Sequence, residues 1–270
     1  MIKAQRTSMV SMEVMDAISN RRSIRKYQDK PVPEETVLKI VEAGVRAPCG
    51  CSLQKYSIIW VKDEEKRKIL WESCRKYPFI LEAPVTLAIC ADLRNLLRMI
   101  YTSENTPSID NEVNLISIKH KFKAIFDAGL VAENMTIAAE SFGLGSVFIG
   151  SAFANLNVIE TLNLPTGVFP LCLLCIGYPD EDPSIRPRLP LHSVLFIDEY
   201  KDLTKEKIED AAQNMNADAR VTGNTVWIKH AKRKLSTDAE TERKLKLAFI
   251  KTGFLSNENI DTYVNVKIKE

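Results

Sequence analysis

Long apolar runs are missing from this 270-residue sequence. Its longest uninterrupted apolar stretch, residues 171–176, is far shorter than the roughly 18 residues that a membrane-spanning helix needs. Near the N-terminus, Thr7, Ser8, Ser11 and Glu13 interrupt the apolar segment that a signal peptide requires. With neither a membrane span nor a targeting segment, the protein is expected to be cytoplasmic.

The sequence also has little glycine, proline, cysteine or excess charge. Its 10 Gly and 12 Pro, beside 45% hydrophobic residues, are too few for a disordered or collagen-like chain. A net charge of +2 provides no broad basic surface, so neither nucleic acid nor a membrane is expected as a partner. Six cysteines are too few for a disulfide scaffold, and in the cytoplasm they should be reduced.

The sequence lacks the specific motifs that identify several enzyme classes. The chain has only 3 histidines, and it lacks a Gly-x-x-x-x-Gly-Lys phosphate loop, a Gly-x-Ser-x-Gly motif and a His-Glu-x-x-His motif. Gly143-Leu144-Gly145 is similar to part of a dinucleotide fingerprint. However, it follows a predicted helix and precedes a predicted strand, the reverse of the order in a Rossmann site. The sequence therefore argues against these hydrolase and nucleotide-binding classes.

Helical and strand patterns alternate along the chain. Apolar spacing predicts a long helix over residues 118–142, which Gly143 can end in a left-handed conformation. Other helices are predicted to start at Pro33 and after the capping residue Asp63, and to cover residues 205–215 and 237–250. Strands are predicted at residues 57–61, 85–91, 146–149 and 171–176. The polar segment 102–112 is expected to be a surface excursion between helices.

Two cysteine pairs suggest a metal or redox site. Cys172 and Cys175 lie three apart on a predicted strand, so their side chains should point to opposite faces and behave as buried thiols. Cys49 and Cys51 lie in a predicted loop, which can direct both thiols anywhere. A metal or redox role for this second pair stays open, although no further cysteine pair follows at zinc-finger spacing.

Two basic clusters are the most informative feature. Arg21, Arg22 and Arg25 surround Ser23, and Arg186-Pro187-Arg188 follows far along the chain. Either cluster alone is typical of a solvated surface. Together they offer the two-pronged hydrogen-bond donors of several guanidinium groups and the hydroxyl of Ser23. These groups suit the oxygen atoms of a phosphate monoester.

Several motifs in order then resemble the FMN-dependent nitroreductase family. The first is Arg21-Arg22-Ser23-Ile24-Arg25-Lys26-Tyr27, followed by residues 31–33 and 47–54. The others are residues 134–139, 143–150, 164–165, 177–179 and 186–191. The tail with Trp227 and His230 is similar to the NADPH-preferring branch of flavin reductases and major oxygen-insensitive nitroreductases.

The resemblance implies an α+β fold, with a central mostly antiparallel sheet flanked by helices, in an intertwined homodimer. Two FMN sites would lie at the subunit interface. Residues 1–200 would form the FMN-binding core, and residues 201–270 a helical extension packed on the core or on the partner subunit.

The resemblance also assigns residues to FMN: Arg21, Arg22, Ser23, Arg25, Cys49, Gly50, Gln54, Tyr77, Phe148, Ile149, Gly150, Ser151, Arg186 and Arg188. Arg21 and Ser23 would hold the phosphate and ribityl chain, and Arg186 and Arg188 would complete the phosphate contacts. Arg25 would lie near the N1 and O2 edge of the flavin, where its charge would raise the reduction potential. A backbone amide of Gly150 or Ser151 would lie near N5.

The other assignments concern the partner subunit and the reductant. Residues 49–54 would reach the flavin from the partner subunit, and Tyr77 would make a polar contact. Cys49 is a departure, because relatives of this branch often have serine there. Arg220 would bind the 2′-phosphate of NADPH.

The implied activity is ping-pong hydride transfer from NADPH or NADH, through flavin N5, to a nitroaromatic, quinone or flavin acceptor. No side chain is then needed as a catalytic acid or base. Two alternatives stay open. One is an enzyme of the same fold with another two-electron reaction, such as dehalogenation or enone reduction. The other is a non-catalytic FMN-binding protein.

Overall fold

The computed structural model describes residues 13–101, 108–217, 227–236 and 238–255. The helices are α1 (Val14–Asn20), α2 (Glu34–Val45), α3 (Glu64–Ser73), α4 (Phe79–Glu82), α5 (Arg94–Ile100), α6 (Ile109–Leu115), α7 (Ile118–Ser141), α8 (Leu156–Thr161), α9 (Lys205–Asn216), α10 (Trp227–Leu235) and α11 (Ala239–Lys251). The strands are β1 (Tyr56–Trp60), β2 (Val85–Asp92), β3 (Gly145–Ile149) and β4 (Val168–Gly177). Three single turns of 3₁₀ helix cover Gly50–Ser52, Gly150–Ala152 and Leu191–Ser193.

The four strands form one antiparallel sheet in the order β1-β2-β4-β3. The central strands β2 and β4 are almost wholly buried and apolar, which is the pattern expected of strands covered on both faces. In register, Leu87 of β2 and Phe148 of β3 both lie opposite Leu174 of β4. The helices and this sheet confirm the predicted α+β class.

The two faces of the sheet contribute to different apolar clusters. Leu174 and Ile176 pack in the cluster that contains residues of α2 and α7, whereas Leu173 packs with residues of α3, α4 and α8. Cys172 belongs to the first cluster and Cys175 to the second, as strand alternation predicted. Burial raises the pKa of each of these two thiols to about 12. Both therefore stay protonated at neutral pH.

A third cluster joins the C-terminal helix to the sheet. The ring of Phe169 on β4 stacks on Phe249 of α11 with centroids 4.8 Å apart, and its centroid lies 4.9 Å from that of Phe254. The Gly167 amide also donates to the Thr252 carbonyl oxygen over 2.9 Å. From Arg243 onward, α11 is therefore part of the compact unit that contains the sheet.

Contacts divide the chain into two compact units. One contains the described residues up to position 182 and from position 243 onward, and the other contains the described residues between them. The second unit holds α9 and α10, where the His192 ring faces the Asp210 carboxylate at 3.5 Å. These compact units are defined by contacts and do not test the expected division into a core of residues 1–200 and an extension of residues 201–270. That division stays a prediction.

Several local predictions are confirmed, and one is wrong. Asp63 caps α3 by accepting from the Lys66 amide over 2.8 Å, and Gly143 ends α7 with φ +70°. Helices α9 and α11 form where helices were predicted. In contrast, α6 occupies part of the expected surface excursion.

Tertiary contacts explain α6. Val113 is fully buried, and the Arg94 guanidinium forms an ion pair with Asp110. The Tyr101 hydroxyl donates to Glu112 over 2.8 Å. These contacts override a polar local sequence. In the part of the chain that is described, no helix is both long enough and apolar enough to cross a bilayer.

Candidate functional site

The basic segment 21–27 lies along the edge of the sheet, beside β3. Ser23 forms a parallel bridge with Ser146, where the Ile24 amide donates to the Ser146 carbonyl oxygen over 3.0 Å. Further along, Tyr27 bridges Pro179, and its hydroxyl donates to the Ile24 carbonyl oxygen over 2.9 Å. Burial holds the pKa of the Tyr27 phenol well above its ordinary value. The segment is therefore loop-like, as predicted, and fixed in place.

Gly145 allows the close approach of this segment to β3. A Cβ atom on Gly145 would lie 2.4 Å from Cγ1 of Ile24, which is inside van der Waals contact. Ile24 itself is buried. Any larger residue at position 145 would push the basic segment away from the strand.

The arginines of this segment have acidic neighbours that sequence reasoning missed. The Arg22 guanidinium lies 2.5 Å from the Asp182 carboxylate, and the Arg25 backbone amide donates to the Glu181 carboxylate. The Arg25 guanidinium also donates to the Ser23 carbonyl oxygen over 3.2 Å. No sequence signal indicated these pairs, because they depend on how the segment packs beside the chain that follows β4.

Arg21 differs from Arg22 in its surroundings. It is half-buried and forms no ion pair with any carboxylate in the described residues. Burial raises the pKa of the nearby Glu140 carboxyl, while the charges of Arg21 and Arg22 lower it. Arg21 therefore forms no close ion pair in the described residues, although its charge interacts with that of Glu140.

The end of β3 offers open space. Ile149 is buried, whereas Phe148 is 38% exposed and Gly150 is exposed. Apart from Gly150 and its neighbours along the chain, no atom of the described residues lies within 4 Å of the position that a Cβ on Gly150 would occupy. At a rise of about 3.4 Å per residue, Gly150 lies roughly 14 Å along the strand from Ser146, which pairs with Ser23. One edge strand therefore connects the basic segment to an accessible backbone turn.

The loop of residues 49–54 lies at the other edge of the sheet, just before β1. Strand β1 is separated from β3 by β2 and β4, which corresponds to about 14 Å across the sheet. Cys49 is half-buried, while Gly50 and Gln54 are exposed. Within one chain, the structure does not bring these three predicted residues together with the turn after β3.

Three residues of this loop have left-handed backbones although none is glycine. Cys51, Ser52 and Gln54 have φ values of +56°, +53° and +46°. Such conformations cost energy and persist where surrounding contacts hold them. Next to them, the Lys55 ammonium pairs with the Asp127 carboxylate of α7 at 2.6 Å, with side chains 2% and 3% exposed. This buried pair anchors the end of the loop.

The remaining predicted residues lie in separate places. Tyr77 precedes α4 and stacks on Phe79 with ring centroids 5.1 Å apart. Arg186 and Arg188 belong to the second unit, where the Arg188 guanidinium donates to the Arg186 and Pro187 carbonyl oxygens over 3.2 Å. Arg220 lies outside the described residues.

The metal alternative gains no support. All six cysteines are free thiols, with Cys49 half-buried and Cys51 exposed. Across residues 13–101, 108–217, 227–236 and 238–255, no three His, Cys, Asp or Glu side chains are grouped so that they could hold a metal ion. Cys49 and Cys51 therefore have no third ligand within these ranges.

Comparison with known proteins agrees with this arrangement. Residues 18–178 match the model of the nitroreductase family. The chain is 33% identical to an NADPH-flavin oxidoreductase of Vibrio harveyi over 75% of its own length and 81% of that protein. It is 36% identical to an FMN reductase [NAD(P)H] of Bacillus subtilis over 70% of its length and 74% of that protein.

Solved structures show the same fold. Nitroreductase A of Vibrio parahaemolyticus superimposes with a TM-score of 0.76 at 28% identity, covering 93% of this chain and all of that one. The NADPH:FMN oxidoreductase of Vibrio harveyi complexed with NAD+ superimposes with a TM-score of 0.75 at 28% identity, covering 90% and 99% of the two chains. The family match and these relatives together show that the chain is an oxidoreductase of the nitroreductase family.

Proposed function

We propose that this protein is an FMN-dependent NAD(P)H oxidoreductase that reduces nitroaromatic, quinone or flavin acceptors. The names of its relatives, an NADPH-flavin oxidoreductase and an FMN reductase [NAD(P)H], support the cofactor and the reductant. The single observation that carries the proposal is the edge strand β3. It joins a fixed arginine-rich segment to an open backbone turn. Because NAD(P)H is a cytoplasmic reductant, we place the reaction in the cytoplasm.

The residues present fit FMN. Arg21 forms no close ion pair in the described chain, and Ser23 is fixed beside it, so this end of the strand suits a dianionic phosphate. The space at Gly150 suits the close approach of a flat ring to backbone amides. Bound FMN would supply the hydride transfer between the nicotinamide and the acceptor.

The chain's own residues bind and orient in this proposal. Arg21 and Ser23 hold the phosphate and ribityl end, and Arg186 and Arg188 stay predicted phosphate contacts. The guanidinium of Arg25 is assigned to the ring edge that becomes negative on reduction, where a fixed positive charge favours the reduced form. The site supplies no catalytic acid or base.

The site is completed by a second copy of the chain. Residues 49–54 lie at the sheet edge opposite the turn after β3, so the same chain does not bring them to its own β3 turn. On α7, Phe122 and Phe126 are 62% and 65% exposed, and Val14 and Met15 of α1 are also exposed. Large exposed apolar surfaces mark protein contacts. We assign these surfaces to an intertwined homodimer in which the loop of one copy meets the β3 turn of the other.

Spectroscopy of the purified protein tests this function. The full chain should bind FMN, and anaerobic NADPH or NADH should bleach the band of the oxidised flavin in a stopped-flow experiment. Nitroaromatic, quinone and flavin acceptors should each restore the band. FMN that binds but resists both nicotinamides would indicate a non-catalytic binding protein. Product analysis with halogenated and enone acceptors separates the other two-electron reactions of this fold.

A further inference from the structure

The turn Gly150–Ala152 has few contacts of its own that could fix its amides. It follows β3 directly, and two backbone bonds close it: the Phe153 amide donates to the Gly150 carbonyl oxygen over 3.0 Å, and the Asn155 amide donates to the Ala152 carbonyl oxygen over 3.3 Å. Just beyond it, Ala154 has a left-handed backbone with φ +49°. A three-residue turn of this kind needs outside contacts to keep its amides in one direction.

The side chain of Asn155 supplies such contacts. Its Nδ2 donates to the Ser151 carbonyl oxygen over 3.2 Å and to the Ser73 carbonyl oxygen at the end of α3 over 3.1 Å. Its Oδ1 accepts from the amides of Asn157 and Val158 in the first turn of α8, over 3.0 and 3.4 Å. One side chain therefore joins the turn to two helices.

These bonds use the whole capacity of the side chain. A primary amide has two N–H donors and an oxygen with two acceptor sites, and all four are satisfied. Asp, Ser or Thr can also cap α8, but only an amide places donors toward both carbonyl oxygens at the same time.

We propose that Asn155 is a positioning residue for the redox reaction. By holding the Ser151 carbonyl oxygen, it fixes the Ser151–Ala152 peptide plane, and with it the course of the turn that carries the Gly150 and Ser151 amides at the open space after β3. This inference rests on the proposed function, which places the flavin ring in that space. Asn155 itself lies behind the turn and acts through Ser151.

The substitution Asn155→Asp separates this role from helix capping. Aspartate retains an oxygen acceptor for the α8 amides, but it presents oxygen instead of N–H to the Ser73 and Ser151 carbonyl oxygens. Asp63→Asn is the matched control, because it makes the reverse exchange at the cap of α3, where the side chain only accepts from the Lys66 amide. Asn155→Ser also retains a cap and is too short to reach both carbonyl oxygens, so it replaces Asn155→Asp if that variant does not fold.

Two measurements on the full chain decide the proposal. Without added FMN, amide hydrogens of residues 150–154 should exchange with deuterium at least tenfold faster in the Asn155 variant than in wild type or Asp63→Asn. With saturating FMN, flavin reduction by NADPH should be at least tenfold slower and the flavin reduction potential should shift. The Kd for FMN should change less than threefold, because the phosphate contacts remain.

Each outcome has one meaning. Wild-type exchange in the Asn155 variant, with or without slower flavin reduction, overturns the positioning role. Faster exchange with unchanged flavin reduction and potential also overturns it. If wild-type protein binds no FMN, or binds FMN that NADPH and NADH do not reduce, the proposed function fails instead, and the exchange comparison still tests whether Asn155 holds the turn.

Discussion

At the scale of single residues, Arg21 has the clearest expected effect on cofactor binding. Its guanidinium is half-buried and forms no close ion pair in the described chain, although its charge interacts with that of Glu140. Arg21→Ala should weaken FMN binding by about 1.5–3 kcal/mol, or roughly 10- to 150-fold in Kd, as expected for loss of a charge-assisted contact. Fluorescence titration of FMN measures this change. Arg98→Ala, at an exposed position on α5, should bind FMN like wild type, and equal affinities in all three proteins would contradict the assignment.

The buried thiols give a pH dependence of stability. Burial raises the pKa of Cys74 from 9.0 to about 11, and those of Cys172 and Cys175 from 9.0 to about 12. Above pH 9, the unfolded chain releases thiol protons that the folded chain retains, so the free energy of unfolding should fall as the pH rises from 9 toward 12. Urea titrations at successive pH values measure this fall.

Thiol labelling provides an independent check of the same burial. At pH 8, iodoacetamide should modify the exposed Cys51 first, whereas Cys74, Cys172 and Cys175 should react only after unfolding. Peptide mass spectrometry identifies the labelled sites. Rapid modification of Cys175 in the folded protein would show that the second apolar cluster is open to solvent.

Residue positions could be predicted where they depend on local periodicity. Strand alternation alone placed Cys172 and Cys175 in different clusters, because residues three apart on a strand face opposite sides. The acidic neighbours Glu181 and Asp182 could not be predicted in the same way. Their contacts with Arg25 and Arg22 arise only once the basic segment packs along β3.

At the scale of elements, the loop before β1 depends on a buried ion pair. Replacing Lys55 alone by Met leaves the Asp127 carboxylate buried without a partner, which should cost about 3–5 kcal/mol of stability. The double variant Lys55→Met/Asp127→Leu removes both charges and should be more stable than either single variant. Urea unfolding of the four proteins measures the coupling, and additive effects of the two substitutions would show that the pair is unimportant.

Helix periodicity predicted the long helix α7, but it could not predict the conformation of this loop. Apolar residues such as Phe122 and Phe126 recur at three- and four-residue spacing and predicted the helix, but they are exposed. The buried face contains small residues such as Ala124 and Ala128 instead, so the spacing predicted the helix and not the face that it buries. The left-handed backbones of Cys51, Ser52 and Gln54 are different, because no glycine marks them. The one available signal was Asp127, a carboxylate within the apolar stripe of α7, which indicates a buried partner.

At the scale of the whole molecule, the site divides between the two edges of one sheet. The family resemblance assigned residues to FMN, but composition and spacing could not show which of these residues lie at the same edge of the sheet. The sheet order β1-β2-β4-β3 gives that answer, with residues 21–25 and 148–151 at one edge and residues 49–54 at the other. A single chain therefore separates the predicted FMN residues, which is the physical argument for the proposed dimer.

Dimerisation and cofactor binding should therefore be lost together. Phe126→Glu places a charge on the exposed apolar face of α7, and it should convert the dimer to monomers in analytical ultracentrifugation. Because residues 49–54 of a second copy would then be absent, FMN affinity should fall at least tenfold. Ile69→Glu is the matched control, since Ile69 is exposed on α3, which packs on the opposite face of the sheet. A monomeric Phe126→Glu protein with wild-type FMN affinity would show that each chain contains a complete site.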